Sequence, residues 1–185
     1  MAKALSLNDI RRRCGKFVAD WSSEPGEERQ QAQSFVRDLL GAYGITKTKA
    51  ALYEHRARRA STGRHGYIDA LIPGLCLIEM KSAGEDLDAA EGQALDYIDS
   101  LPEVETPRWV VTSDFKNFRI LDLHAEAGHG VETFALKDLV RNAESLAFLA
   151  GYQTRSFGDQ EQEVASIKVN RRRFFAAPIL VAVPR

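Results

Sequence analysis

A mixed β-sheet flanked by helices, an α/β fold, is what this sequence predicts. Three observations lead there. Two segments with helical apolar spacing open the chain, and the period changes to strand-like alternation after Gly44. A helical segment over 85–101 then separates one group of strands from another, the order of a sheet with helices packed against it.

Residues 6–21 form the first predicted helix. Ser6 is placed to cap it, and Leu7, Ile10, Cys14, Phe17, Val18 and Trp21 recur on one face. Glu24-Pro25-Gly26 breaks it. A second helix spans 27–43, with Ala32, Phe35, Val36, Leu39, Leu40 and Tyr43 inward and Gly44 as its stop. Glu28 lies on that apolar stripe, where a carboxylate without a partner is costly. Strands are predicted over 50–56, 67–72, 75–81, 108–112 and 118–123, with a shorter one at 131–135. Pro73-Gly74 turns the second strand into the third, and 114–117 is a polar turn. The 85–101 helix buries Leu87, Ala94, Leu95, Ile98 and Leu101, and 137–149 reads as a last helix ending at Gly151.

The 185 residues suffice for one domain over 1–152, followed by a separate segment over 153–185. Within that segment, 170–185 is basic and then apolar, with no evident place in the fold. No run approaches the ~18 apolar residues of a membrane span. Arg11-Arg12-Arg13 falls where the apolar core of a signal peptide belongs. Cys14 and Cys76 are too few for a disulfide framework or a cysteine zinc site, which suits a reducing cytoplasm. The net charge of −1 makes no global case for a polyanionic partner, but the charges are segregated. Lys47, Lys49, Arg56, Arg58, Arg59 and Arg64 face a single acid, Glu54, over 47–65, whereas 85–105 carries eight acids and no base. The basic segment runs straight into the residues best suited to chemistry, where cations would serve a phosphate backbone.

Those residues are Asp69, Glu79 and Lys81. Glu79-Met80-Lys81 ends an apolar strand, where ordinary cores avoid charge, and alternation puts Glu79 and Lys81 on one face. An odd-numbered hairpin loop such as 72–74 sets Asp69 opposite Leu77, diagonal to Glu79, and all three charges converge. A two-residue turn points Asp69 the other way unless a bulge intervenes. Two carboxylates can hold Mg²⁺, a hard cation satisfied by oxygen ligands. An adjacent ammonium offsets the charge of a phosphoryl transition state. Glu28 is a candidate third carboxylate for the metal. Gln93 and Tyr97 share a face of the following helix and make candidate supporting groups. The bland alternatives are a structural ion cluster for the triad and a helix N-terminal acid for Glu28.

Asp69…Glu79-x-Lys81 followed by Gln93-x-x-x-Tyr97 resembles the RecB-like and type I restriction branch of the PD-(D/E)XK nucleases. More closely, the chain resembles the N-terminal nuclease domain of MmeI-like type IIL restriction–modification enzymes. The stretches that carry this are Glu28-Arg-Gln-Gln-Ala-Gln-Ser-Phe35, Tyr67-Ile-Asp-Ala70, Leu77-Ile-Glu-Met-Lys-Ser82, 109–119 and Leu149-Ala-Gly-Tyr152. The resemblance implies a restriction-endonuclease-like sandwich that cuts double-stranded DNA with Mg²⁺, Mn²⁺ being able to substitute. Asp69, Glu79 and Lys81 would be the cleavage residues, supported by Gln93 and Tyr97. It also implies methyltransferase and target-recognition domains as partners, normally in the same polypeptide. The Gly-rich methyl-donor loop and Asn-Pro-Pro-Tyr motif of that half do not occur in this sequence. Residues 153–185 are then either the start of a helical spacer or an aberrant, truncated tail. The competing expectations are a nuclease-like DNA-binding or assembly module that does not cut, and an inactive gene fragment.

Overall fold

The computed structural model describes residues 5–46, 51–125 and 130–152. Lys47, Lys49 and the segment 153–185 lie outside the described residues.

Helix α1, Leu7–Trp21, starts where Ser6 Oγ accepts the Asp9 N–H at 3.2 Å, and buries Ile10, Cys14, Phe17 and Trp21. Helix α2, Glu28–Ala42, buries Ala32, Phe35, Val36, Leu39 and Leu40. Its first turn is closed by Gln31, whose Oε1 accepts the N–H groups of Gly26 and Glu27 at 3.0 and 2.9 Å. The mixed sheet flanked by helices is the architecture observed. Six strands follow chain order: β1 Leu52–Arg58, β2 His65–Ile72, β3 Cys76–Met80, β4 Trp109–Ser113, β5 Asn117–Asp122 and β6 Val131–Ala135. All neighbours are antiparallel except β3 and β4, which run parallel with helix α3, Leu87–Ile98, connecting them.

Alternation along the strands divides two cores. Cys76, Ile78 and Met80 of β3 join Trp109, Val111 and Phe118 in the larger core, with α1 and α2. Leu77 faces the other way and packs with Val110, Ala94 and Tyr97 against α3. Every residue of β3 is therefore buried, and Glu79 is carried in on the α3 face. Among the described residues, no helix is long and apolar enough to cross a membrane.

Two sequence expectations need adjustment. The β2–β3 loop is Pro73-Gly74-Leu75, closed by the Leu75 N–H on Ile72 O at 2.9 Å. It is odd-numbered, but it lies one residue later than 72–74, because Ile72 stays in the core paired with Cys76. The register Ala70↔Ile78 and Leu71↔Leu77 thus brings Asp69 level with Glu79 rather than with Leu77. The segment 137–149 is not an α-helix. It is a 3₁₀ turn at Leu136–Asp138, a run of turns, and a second 3₁₀ helix at Ala147–Ala150. Its apolar spacing is helical, but outside contacts hold it in tighter turns: Tyr43 Oη donates to Ala143 O at 3.1 Å, and Phe148 stacks on Trp109 at 4.5 Å.

Candidate active site

The β2/β3 ladder of paired residues ends at Ala70↔Ile78, and side-chain chemistry begins there. The next N–H of β3 on the β2 side, that of Met80, donates to the Asp69 side chain, at 2.7 Å to Oδ2, instead of to a backbone carbonyl of β2. This bond fixes the Asp69 carboxylate at the C-terminal end of β3. Glu79, only 2% exposed, lies one residue before that end. Its Oε1 receives Lys81 Nζ at 2.8 Å and Gln93 Nε2 at 2.5 Å. Its Oε2 is buried and, among the described residues, has no hydrogen-bond partner. Lys81 itself is anchored through its backbone N–H to Ser113 O at 2.9 Å, and its ammonium stands 4.0 Å from Glu28 Oε1.

A helix on each face of the sheet thus reaches one point. Helix α2 contributes Glu28 from its first residue, and α3 contributes Gln93. Asp69, Glu79, Lys81, Glu28 and Gln93 are brought together. Tyr97, one turn beyond Gln93, is buried beneath Arg59, whose Nε donates to Tyr97 Oη at 3.3 Å. Among the described residues, no three His, Cys, Asp or Glu side chains form a ready-made metal cage. A divalent cation here would take Asp69 and Glu79 with water completing its shell, as Mg²⁺ commonly does. The unpartnered Glu79 Oε2 is the atom that fits such a ligand: a buried carboxylate oxygen ordinarily finds a donor, and this one has none.

The electrostatics show how tightly the charges are gathered. Burial pushes the Glu79 carboxyl up to about 7, Asp69's charge adds to the rise, and Lys81 moderates it. Burial also raises Asp69, with the charges of Glu28 and Glu54 reinforcing it against the Met80 N–H bond and Lys81. Burial pulls the Lys81 ammonium down, but Glu79, Glu28 and Asp69 outweigh that and hold it above its usual value.

The basic segment divides into two sets. Arg56 and Arg58 are exposed on β1, in register with Tyr67 and His65 of β2, so the four form a stripe on one face of the hairpin. Tyr67 is 62% exposed, unusual for an aromatic. Arg64 is exposed at the hairpin end. Arg59 instead turns inward to Tyr97. Sequence reasoning missed Glu54 as a neighbour of the site. Its φ of 48° and the Gln33 Nε2 bond at 2.6 Å to its Oε1 place its charge near Asp69, and nothing in the sequence signals that backbone.

Over residues 12–172 the chain matches the family described as MmeI, N-terminal domain. It belongs to that family. The MmeI N-terminal domain is part of a restriction-enzyme family, as the sequence resemblance implied. Among solved structures, a cryo-electron-microscopy structure of a DrdV–DNA complex is similar to this MmeI-type domain at 15% identity with a TM-score of 0.44. The similarity covers 80% of this chain and 14% of that chain, so the MmeI-type domain spans a small part of that protein's length. The curated proteins contain no match.

Proposed function

We propose that this chain is the metal-dependent DNA-cleaving domain of a restriction–modification enzyme, hydrolysing phosphodiester bonds with Mg²⁺ or Mn²⁺. The observation that carries the proposal is the buried, unpartnered Glu79 Oε2 at a point where Asp69 and Lys81 also converge. A bare structural ion pair would satisfy both carboxylate oxygens; a ligand position leaves one open.

Asp69 and Glu79 would hold the cation, and Glu28 would act through Lys81. A bound Mg²⁺ supplies Lewis acidity to the phosphoryl oxygens and lowers the pKa of its water. The chain's own residues do the rest. The Met80 N–H holds Asp69 in one orientation, while Gln93 and Lys81 fix Glu79 by its other oxygen. Lys81, kept charged by three acids, would orient the attacking water and offset negative charge on the phosphorus centre. The exposed Arg56 and Arg58 would supply phosphate contacts without reading sequence. Target recognition and methylation would fall to other domains of the enzyme.

Plasmid nicking in Mg²⁺ by this chain and by Lys81→Ala tests the reading, alongside calorimetric Mg²⁺ binding. Cleavage lost in Lys81→Ala is expected. Metal and DNA binding with no nicking by the unaltered chain would leave a non-cleaving DNA-binding module instead.

A further inference from the structure

We propose that Arg59 is a phosphate-binding residue of this site, pre-oriented by Tyr97, and that it grips a DNA phosphate beside the carboxylates. The inference rests on the nuclease reading above and names a residue and a ligand group for it.

Tyr97 is 1% exposed, and its Oη accepts the Arg59 Nε–H at 3.3 Å. The guanidinium carbon also lies over the Tyr97 ring, 5.5 Å from its centroid. That approach requires glycine at position 66, since a Cβ there would lie 2.1 Å from Tyr97 Oη. The loop carrying Arg59 is fastened to the same helix. Ala60 N–H donates to Asp96 O at 3.0 Å, and Ser61 N–H and Oγ both donate to the Asp96 carboxylate at 2.7 Å. Ser100 Oγ donates to Arg58 O on the other side. Arg59 N–H closes the hairpin on Arg64 O at 2.8 Å.

A buried phenol needs one hydrogen-bond partner, and a loop glycine carbonyl or a water would serve. The structure instead uses an arginine through Nε alone. Among the described residues, its two terminal nitrogens make no hydrogen bond, so the fork that matches a phosphate bidentately is open. Its location suits that use. Tyr97 follows Gln93 by one helical turn, and Gln93 is bonded to Glu79, whose charge acts on Arg59 as well. Holding a long side chain in one rotamer before the ligand arrives lowers the entropy lost on binding. Tyr97 is therefore a positioning residue, and the helical Gln-x-x-x-Tyr spacing links the metal carboxylate to the phosphate fork.

The test is binding of a short labelled DNA duplex of mixed sequence, in Ca²⁺, by the full chain over a series of salt concentrations. Arg59→Ala should reduce the slope of log affinity against log salt by about 0.9 and weaken binding about tenfold. Arg59→Lys should keep the slope and still bind less tightly, because an ammonium cannot make the bidentate contact. Tyr97→Phe keeps the ring and the fold but frees the guanidinium, so affinity should fall with the slope unchanged. Arg12→Ala, an exposed arginine on α1, is the charge control and should leave the slope as it was. If the unaltered chain binds DNA and Arg59→Ala keeps its slope, or Arg12→Ala lowers it equally, the Arg59 assignment falls alone. If the unaltered chain shows no salt-dependent DNA binding, the nuclease reading falls with it.

Discussion

Replacing Glu79 by glutamine should remove a pH-dependent destabilisation of the metal-free protein, and its size follows from the geometry. The carboxyl is pushed from its ordinary 4.5 to about 7, chiefly by burial. Below ~pH 4.5 the group is protonated in both the folded and the unfolded chain and contributes nothing unfavourable. As pH rises, the unfolded chain releases its proton while the buried group keeps it, so stability falls. The loss is complete once pH passes about 7, and amounts to about 3 kcal/mol. Asp69, also raised, adds in the same direction from a lower starting pH. Asp122, held low, gains its contribution at more acid pH, and Lys81, held high, loses its own only in alkali, so neither masks this window. In Glu79→Gln the amide oxygen can still accept from Lys81 and Gln93, and no proton is exchanged. Urea unfolding in a chelator, from ~pH 4.5 to ~pH 7.5, should therefore show the unaltered chain losing about 3 kcal/mol relative to the variant. Saturating Mg²⁺ should offset the loss, because on the proposed reading the cation would bind only the folded, ionised pair. Parallel pH profiles for the two proteins would refute the reasoning. They would mean that Glu79 ionises as freely as it does in water.

Three further outcomes are expected. Mg²⁺ affinity should rise with pH through about 7 and binding should release a proton, measurable by calorimetry in buffers of different ionisation heat, since Glu79 must be ionised to act as a ligand. Gly66→Ala forces a Cβ against Tyr97 Oη and should lower stability by about 1–3 kcal/mol in urea melts, whereas the neighbouring exposed Tyr67→Ala should change it little. Reversing Arg56 and Arg58 to Glu should weaken DNA binding and flatten its salt dependence with the melting temperature unchanged, because both side chains are exposed on the hairpin face.

The candidate site was legible because charge at the end of an apolar strand is rare, and strand alternation is a local rule. Asp69, Glu79 and Lys81 needed only that rule and the parity of one loop. The loop's position was not legible. A shift of one residue keeps the parity, and Ile72 chose the register by its burial in a core assembled from distant helices. The 137–149 segment shows the same limit from the other side. Its apolar spacing fits a helix, and contacts from Tyr43 and Trp109, about 100 and 40 residues away in the chain, decide for shorter turns. Glu54 and Arg59 stood together in one basic stretch with nothing to separate their roles. A left-handed backbone turned the first toward Asp69, and a glycine at 66 admitted the second to Tyr97.

The order of the strands has a consequence for how the candidate site comes into being. Each antiparallel neighbour is also the next strand along the chain, so those pairs form from nearby segments. The parallel junction of β3 with β4 is different: it must wait for α3 and for the chain through Ser113, whose carbonyl holds the Lys81 N–H. Glu79 and Lys81 lie on that junction. A nascent chain leaving the ribosome therefore carries both residues for more than 30 positions of synthesis before the strand that fixes them exists. A half-made copy would have the charges but no assembled site, so on the proposed nuclease reading only chains that have closed the sheet could cut DNA.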